Sequence, residues 1–431
     1  INMVDAGMEV ANVLATNGPW LIAIAAAFGF LMAWGIGAND VANAMGTSVG
    51  SNAITIKQAI IIAMIFEFAG AFLAGGEVTS TIRNGIIDSS YFTQTPELLV
   101  YGMIGSLLAA GIWLVVASAL GWPVSTTHSI VGAIIGFAAV GVGTESVAWE
   151  KVGGIVGSWV ITPAISGFMA FILFQSTQKL IFNTDNPLAN AKRYVPFYMA
   201  FAGFMMSLVT ILKGLSHVGI HLKGAEAYIL AGVIALAVGI IGKVFISRLK
   251  MDEKASHKTM YANVEKVFAI LMVLTACCMA FAHGSNDVAN AIGPLAAVVS
   301  VVNSGGQIAS KSPLVWWILP LGAVGIVMGL AIFGQRVMQT IGKNITHLTP
   351  SRGFAAELAA ASTVVIASGT GLPISTTQTL VGAVLGVGMA RGIAAINIGV
   401  VRNIVVSWVV TLPAGAGLSI IFFYMIKGIF N

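Results

Sequence analysis

The sequence predicts an all-α membrane protein that crosses the bilayer many times. Charged residues make up only 9% of the 431 positions and hydrophobic residues 57%, whereas about 25% of the residues in soluble domains are charged. Many apolar runs reach roughly 18 residues or more, the length that a helix needs to cross the hydrocarbon core. The 50 glycines are typical of close helix contacts in membranes. Together these observations exclude a soluble globular chain.

Charge and cysteine content narrow the class further. The formal net charge of +5 is small for this length, and most Lys and Arg residues lie in loops. Membrane topology therefore explains them better than a nucleic-acid surface does. Cys277 and Cys278 are adjacent within an apolar run and are interpreted as packing residues rather than as a metal or redox pair. No cleavable signal peptide is expected in residues 1–18.

Apolar runs separated by polar segments predict the spans in chain order. Each half of the chain contains long runs and one run that is too short for a full crossing, and two ordinary spans join the halves. The predicted spans are 20–34, 58–75, 98–120, 152–181 (interrupted at 162–163), 196–212, 226–247, 267–281, 314–333 and 354–368; the short runs are 130–142 and 380–389; the polar loops are 79–96, 183–195, 213–227, 248–262 and 335–352.

Three polar motifs occur twice, in the same order, which predicts an internal duplication. The matched segments are 37–44 with 284–291, 121–128 with 371–378, and 158–162 with 407–411. Their offsets of 247 to 250 residues and the polar letters that the copies share do not arise by chance in an apolar chain. Duplications of this kind are frequent in secondary transporters. The predicted organisation is a first transmembrane repeat at 1–182, two linking spans at 183–262 and a second repeat at 263–431.

The first duplicated motif places carboxylate and amide groups at the end of an apolar run. Polar groups at such a depth are expensive unless they bind something, and carboxylate and amide oxygens are hard ligands for a small cation. The hydroxyls of Thr47 and Ser48 are expected to complete the cation shell. Glu67 has no acidic counterpart in the second half, and it is expected to bridge helices or to bind a cation peripherally. The predicted cation ligands are Asn39, Asp40, Asn43, Asn286, Asp287 and Asn290.

The second duplicated motif, Pro-x-Ser-Thr-Thr, is typical of a helix N-terminus. Free N–H groups and the positive end of the helix dipole attract an anion, and three hydroxyls add donors. A single copy would be interpreted as a helix cap, but two copies beside short apolar runs favour a binding site. Two such termini facing each other would suit a tetrahedral oxyanion without any Lys or Arg. The predicted anion ligands are Ser125, Thr126, Thr127, Ser375, Thr376 and Thr377, with Asn43 and Asn290 serving both ligands.

Residues 37–44 (GANDVANA) and 283–294 (HGSNDVANAIGP) resemble the paired signatures of the inorganic phosphate transporter (Pit) family, and the two Ser-Thr-Thr segments match its pattern too. The resemblance covers nearly the whole chain. It implies two inverted repeats with broken helices, and re-entrant hairpins that carry the Ser-Thr-Thr segments. It also implies an extracellular N-terminus and phosphate uptake coupled to sodium or protons. The long hydrophilic central loop of animal relatives is replaced here by residues 248–262, which are expected to be cytoplasmic.

The leading hypothesis is therefore a secondary symporter of the cell membrane that imports inorganic phosphate with sodium at a site between the repeats. Sodium is preferred to protons because the asparagines supply extra oxygens that sodium needs and a proton does not. The alternatives are a proton-coupled or metal-phosphate symporter, a sulfate permease of the same fold, and an anion channel. No enzyme activity, cofactor or nucleic-acid partner is expected, and assembly as a homodimer stays open.

Overall fold

A computed structural model describes residues 3–214, 222, 224–249, 251, 257–308, 314–345, 347–392 and 395–430. These residues form helices joined by short connections, which confirms the all-α prediction. Nine helical segments in the described ranges are long and apolar enough to cross a membrane. The helices are α1 Met3–Ile36, α2 Ala42–Gly50, α3 Ile56–Ala74, α4 Gly76–Asn84, α5 Pro96–Leu120, α6 Thr126–Gly141, α7 Trp149–Thr177, α8 Pro187–Val209, α9 Ala225–Ser247, α10 His257–Asp287, α11 Ala289–Asn303, α12 Ile318–Asn344, α13 Pro350–Gly369, α14 Thr376–Arg391 and α15 Ile398–Phe430.

All five polar segments predicted as loops are partly helical in the described residues, and one predicted interruption is absent. The segments 213–227 and 248–262 contain the starts of α9 and α10. The segment 79–96 contains most of α4 and a short 3-10 turn, and α12 continues into the segment 335–352. The segment 183–195 contains the start of α8. Amphipathic or polar helices such as these carry no long apolar run and are therefore missed by hydropathy. Pro163 lies inside an unbroken α7, as membrane helices tolerate when neighbours satisfy the freed backbone.

Helix geometry changes at both Asn-Asp motifs. Between α1 and α2 the backbone forms a π-helical turn, Gly37–Val41, and between α10 and α11 it forms a turn at Val288. π-helical turns within α-helices occur frequently at functional sites. The predicted break amounts to a local change of helix geometry, because the backbone stays right-handed helical through both motifs. The pairs α1–α2 and α10–α11, perturbed at these motifs, are called the broken helices below.

Each Pro-x-Ser-Thr-Thr motif forms the tip of a helical hairpin. The tips join α5 to α6 and α13 to α14, and each contains a glycine with positive φ, Gly121 at 71° and Gly371 at 75°, a conformation that favours glycine. At the base of the first hairpin, the backbone N–H of Ala148 donates to the Ile86 carbonyl (2.9 Å). At the base of the second, the backbone N–H of Asn397, just before α15, donates to the carbonyl of Ile345, the C-cap of α12 (3.0 Å). Both hairpins thus begin and end at the same end of the molecule, as a re-entrant hairpin requires.

The second helix of each hairpin, α6 or α14, is called the returning helix, and it packs against the other half of the chain. A Cβ atom added to Gly386 of α14 would lie 2.0 Å from the Gly167 carbonyl oxygen of α7. The equivalent Gly136 of α6 lies in the same way against Ala416 of α15, where an added Cβ would be 2.7 Å from the carbonyl oxygen. The two halves are therefore interlocked through backbone contacts that only glycine permits.

The two hairpin bases lie at different ends of the helical assembly. At the base of the second hairpin, Ser351 donates its backbone N–H and its hydroxyl to Glu265 of α10 (2.9 and 2.7 Å), next to the basic segment that precedes α10. At the other end of the α10–α11 pair, Gly306 lies within van der Waals reach of Pro96, which begins the first hairpin. This arrangement agrees with inverted repeats, whose orientation in the bilayer stays a prediction.

The close approach of α14 to α7 gives a prediction for stability. Gly386→Ala forces the two backbones apart and should lower the free energy of unfolding in detergent by about 1–3 kcal/mol, as overpacking does. Gly154→Ala is the matched control, because an added Cβ there meets nothing within 4 Å and alanine favours a helix. Thermal unfolding measurements in which both variants melt like the wild type would contradict the close contact.

The hairpin bases give a prediction for topology. Lys and Arg are enriched in cytoplasmic segments, so the second base should be cytoplasmic and the first external. In a background where Cys277 and Cys278 are replaced by alanine, Ser90→Cys should react with an impermeant thiol reagent in intact cells. Arg391→Cys should react only after permeabilisation. Equal labelling of both sites from outside would contradict the inverted arrangement.

Candidate functional site

Asn39 connects the first broken helix to the tip of the first hairpin. Its amide nitrogen donates to the Ser118 hydroxyl (3.2 Å) and to the Trp122 carbonyl (2.9 Å), and its carbonyl oxygen accepts the Val124 backbone N–H (3.1 Å). Ser118 and Val124 are buried, and Asn39 is fully buried. The side chain therefore fixes the hairpin tip beside the π-helical turn.

Asn286 makes the same three bonds in the second half. Its amide nitrogen donates to Ser368 (3.1 Å) and to the Leu372 carbonyl (3.0 Å), and its carbonyl oxygen accepts the Ile374 N–H (3.2 Å). The equivalence extends the duplication from the sequence to individual hydrogen bonds. The cation role expected of Asn39 and Asn286 stays a prediction, while their observed bonds position the hairpin tips.

Asp40 lies against both hairpin tips. Its Oδ2 accepts the hydroxyl of Thr126 from the first tip, and its Oδ1 accepts the hydroxyl of Thr377 from the second tip (2.7 Å). The carboxylate is buried, so these hydroxyls supply the polar contacts that burial of a charge requires. Residues from the two predicted sites, 337 positions apart in the chain, thus meet at one point.

The second asparagine of each motif crosses to the opposite hairpin. The amide nitrogen of Asn43 donates to Thr377 (3.0 Å), and the amide nitrogen of Asn290 donates to Thr126 (3.2 Å) and Thr127 (3.1 Å). Each tip is therefore bonded by asparagines of both halves. The structure brings together the residues predicted for the anion with those predicted for the cation.

The first hydroxyl of each tip is a helix cap. Ser125 accepts the backbone N–H of His128, and Ser375 accepts that of Gln378, both at 3.2 Å. These bonds match the cap geometry that each motif predicts on its own. The threonine hydroxyls do not cap the helices, and they lie toward the broken helices instead.

Several backbone N–H groups at the two tips have no hydrogen-bond acceptor within the part of the chain that the structure describes. All of them are buried, although more than nine in ten buried backbone N–H groups in proteins are paired. Unpaired N–H groups at a helix N-terminus form an anion site. They belong to Ser125, Thr127, Ser375, Thr376 and Thr377.

Asp287 lies in a line of three ionisable side chains. Its Oδ2 accepts the Thr376 hydroxyl (2.5 Å) and lies 3.1 Å from Nε2 of His283. The other ring nitrogen of His283, Nδ1, lies 2.8 Å from Oε2 of Glu67. Ligand atoms of Asp40, His283 and Asp287 all lie within 4.8 Å of one another, so the two carboxylates share one small buried volume.

Acceptor oxygens in this volume are left without a partner among the described residues. They are Oδ1 of Asn43, of Asn290 and of Asp287. A buried acceptor without a donor is costly, and oxygens of this kind suit a hard cation or the hydroxyl of a protonated oxyanion.

Another buried carboxylate, that of Glu357, lies outside the two motifs and is surrounded by hydroxyls. Glu357 of α13 accepts the hydroxyls of Thr47 and Ser48 (both 2.5 Å) and of Thr275 (2.8 Å). The expectation that Thr47 and Ser48 complete the shell around Asp40 is therefore wrong, because their hydroxyls lie about two helical turns further along α2 and bond to Glu357 instead. Sequence reasoning missed Glu357 because it looked for duplicated polar residues; a lone acid inside the apolar span 354–368 was the available signal.

The comparisons with known proteins agree with this geometry. The Phosphate transporter family matches residues 36–419. A protein of Haemophilus influenzae described as a phosphate permease is 60% identical over 423 residues, which cover 97% of this chain and all of that protein. The chloroplastic inorganic phosphate transporter 2-1 of Arabidopsis thaliana is 42% identical, covering 94% of this chain and 72% of the relative.

A solved structure is similar over nearly the whole fold. It is described as the sodium-dependent phosphate transporter, is 41% identical in sequence, and aligns with a TM-score of 0.87 over 95% of this chain and 99% of that chain. Proteins of this kind are transporters rather than enzymes. The family match and the relatives, which span nearly the full length of the chain, show that the chain belongs to the phosphate transporter family.

Proposed function

We propose that this protein imports inorganic phosphate together with sodium, and that both bind where the two hairpin tips meet the two broken helices. The observation that carries the proposal is the meeting of opposite chemistries in one buried volume. Threonine hydroxyls of both tips bond to the two carboxylates, and the same tips carry the N–H groups that have no acceptor among the described residues. An anion site and a cation site in contact with each other are the minimum requirement of a symporter.

Electrostatics explain why the two ligands would bind together. Two carboxylates within 4.8 Å repel each other by about 3 kcal/mol at the effective dielectric constant of about 20 that suits protein sites. A phosphate anion beside Asp40 and Asp287 adds to this repulsion. Sodium ions among these groups would remove it, so phosphate would bind well only with its cations.

The residues divide into three roles in this proposal. The tip residues Ser125, Thr126, Thr127, Ser375, Thr376 and Thr377 would hold phosphate through N–H and hydroxyl groups. Asp40 and Asp287, with the carbonyl oxygens of Asn43 and Asn290, would hold sodium, while the amide nitrogens of Asn43 and Asn290 would donate to phosphate. Asn39 and Asn286 would keep the tips in place. No Lys or Arg belongs to the group, so phosphate would not be held by a permanent positive charge that hinders its release.

The unpartnered acceptors favour phosphate over sulfate. At neutral pH phosphate carries at least one P–OH group, which can donate to a carboxylate or to an amide oxygen, whereas sulfate is only an acceptor. A site with buried acceptors discriminates strongly against an analogue that lacks the donor, because the acceptors are then left unpaired. Asn43, Asn290 and Asp287 offer such acceptors.

Sodium is preferred as the coupling ion because the site is rich in neutral oxygens. A proton needs one acceptor, whereas a hard cation needs several oxygens around it. The similar solved structure is described as sodium-dependent, which supports the same choice. Coupling to protons is the main alternative.

Removing one threonine hydroxyl tests the anion site. Thr127→Ala and Thr377→Ala should each weaken phosphate binding about ten-fold or more, because a hydrogen bond to a charged group contributes about 1.5–3 kcal/mol. Thr363→Ala is the matched control, since that hydroxyl bonds to the Ala359 carbonyl of its own helix (2.8 Å). Binding of radiolabelled phosphate to the purified proteins measures the effect. If all three variants bind like the wild type, the tip threonines have no ligand role.

Uptake into proteoliposomes tests the function itself. Labelled phosphate should accumulate when an inward sodium gradient is imposed without a pH difference, and excess unlabelled sulfate should not compete. A pH gradient in sodium-free buffer should give no accumulation. Strong uptake in the sodium-free vesicles would replace sodium by protons, and flux without any cation gradient would indicate a channel.

A further inference from the structure

The two halves differ at two neighbouring pairs of equivalent positions beside the Asn-Asp motifs. In the first half Gly37 lies against the Ile326 carbonyl of α12, where an added Cβ would be 1.8 Å from the oxygen. In the second half Gly284 lies against the Glu67 carbonyl of α3 at 2.1 Å. Glu67 and Ile326 are therefore structural counterparts. The residues before the two glycines, Ile36 and His283, are counterparts as well.

A buried pair of ionisable side chains in one half thus replaces a buried apolar pair in the other. Ile36 and Ile326 are almost fully buried and carry no polar group. Glu67 and His283 occupy the same places, are equally buried, and extend as a line of contacts to Asp287. Although the Asp-containing motifs are duplicated, the carboxylates of Asp40 and Asp287 therefore have different neighbours.

The difference shows in the oxygens that each carboxylate leaves open. Both oxygens of Asp40 accept threonine hydroxyls, one from each tip. Asp287 accepts Thr376 and contacts His283 through the same oxygen, Oδ2, and its Oδ1 has no partner among the described residues.

Thr127 accounts for the open oxygen. By the duplication it is the counterpart of Thr377, yet its hydroxyl donates to the Ile374 carbonyl (2.8 Å) rather than to Asp287. Thr377 reaches the equivalent carbonyl, that of Val124, at 3.3 Å, but also donates to Asp40 at 2.7 Å. The equivalent hydroxyls therefore have different main acceptors: Thr127 donates to a backbone carbonyl, and Thr377 donates to a carboxylate.

We propose that the two cation positions are filled in order, because Glu67 and His283 hold Asp287 ready for a cation while Asp40 is released only by phosphate. This inference rests on the proposed function. Glu67 and His283 are positioning residues: His283 lies 3.1 Å from Oδ2 of Asp287 with Glu67 behind it, while Oδ1 has no partner among the described residues, so the first cation meets a preorganised oxygen. Asp40 becomes a ligand when Thr126 and Thr377 turn their hydroxyls from its oxygens to phosphate.

This exchange couples phosphate to the second cation. The hydroxyls cannot donate to Asp40 and to phosphate at once, since each has one hydrogen. Phosphate binding therefore frees the Asp40 carboxylate, and the second cation binds to it and neutralises the repulsion. By linkage, the second cation raises phosphate affinity by the same factor as phosphate raises the affinity for that cation.

Sodium binding to the purified protein, measured by calorimetry in choline buffer with and without phosphate, tests the order. The wild type should bind one sodium without phosphate and a second with it. Asp287→Asn should lose the phosphate-independent sodium. Asp40→Asn should keep that sodium and lose only the phosphate-dependent one. Glu67→Gln should weaken the phosphate-independent sodium at least five-fold, whereas Ile326→Val, at the counterpart position, should leave it unchanged.

A gain of binding gives a second test that misfolding cannot mimic. The double variant Thr126→Val with Thr377→Val removes both hydroxyls from Asp40 and should bind two sodium ions without phosphate. Loss of phosphate-independent sodium in Asp40→Asn, equal behaviour of Glu67→Gln and Ile326→Val, or a single sodium in the double variant would each overturn the order. These outcomes are distinct from failure of the proposed function, which would appear as absent sodium-driven phosphate uptake in the wild type.

Discussion

The repulsion between two buried carboxylates is the constraint on which the rest of the structure depends. Asp40 and Asp287 lie so close together, at ligand-atom distances within 4.8 Å, that each must be surrounded by donors or cations. The folded chain supplies threonine hydroxyls from the hairpin tips and an imidazole from α10. Breaks in the helices, glycines at the crossings and asparagine bonds to the tips all serve to bring these donors to the same place. In the proposed function, sodium ions bound together with phosphate would satisfy the same constraint.

The sequence alone predicted the membrane class and the duplicated half of the site, because polar letters repeated at a fixed offset stand out against an apolar background. It placed Asn43, Asn290 and the tip threonines in one group, and the structure brings them within hydrogen-bonding distance. The expectation that Glu67 bridges helices is confirmed by its bond to His283 of α10, but the contact of His283 with Asp287 and the separate cluster around Glu357 were not predicted. These residues have no polar counterpart in the other half, and their partners come from helices whose packing no local pattern reveals.

The helix boundaries show a similar division between local and long-range causes. The hairpin tips could be located from Pro and Ser-Thr-Thr, since capping depends on a few neighbouring residues. That α14 packs on α7 and α6 on α15 could not, since glycine is frequent throughout the sequence and only the fold selects which glycines meet a carbonyl. Hydropathy likewise overlooked α4, in which Thr79 and Arg83 are buried and Glu77 and Ser80 are exposed, so that no apolar run marks the helix.

The exchange of hairpin partners makes the two halves depend on each other. Because α6 is completed by α15 and α14 by α7, neither half covers its own returning helix. A polypeptide with one half alone would leave a row of glycines and a set of buried polar groups exposed to lipid. Each half therefore needs the other to cover these surfaces. Because both copies lie in one chain, equivalent positions can carry different residues, as Glu67 and His283 do where the other half has Ile326 and Ile36.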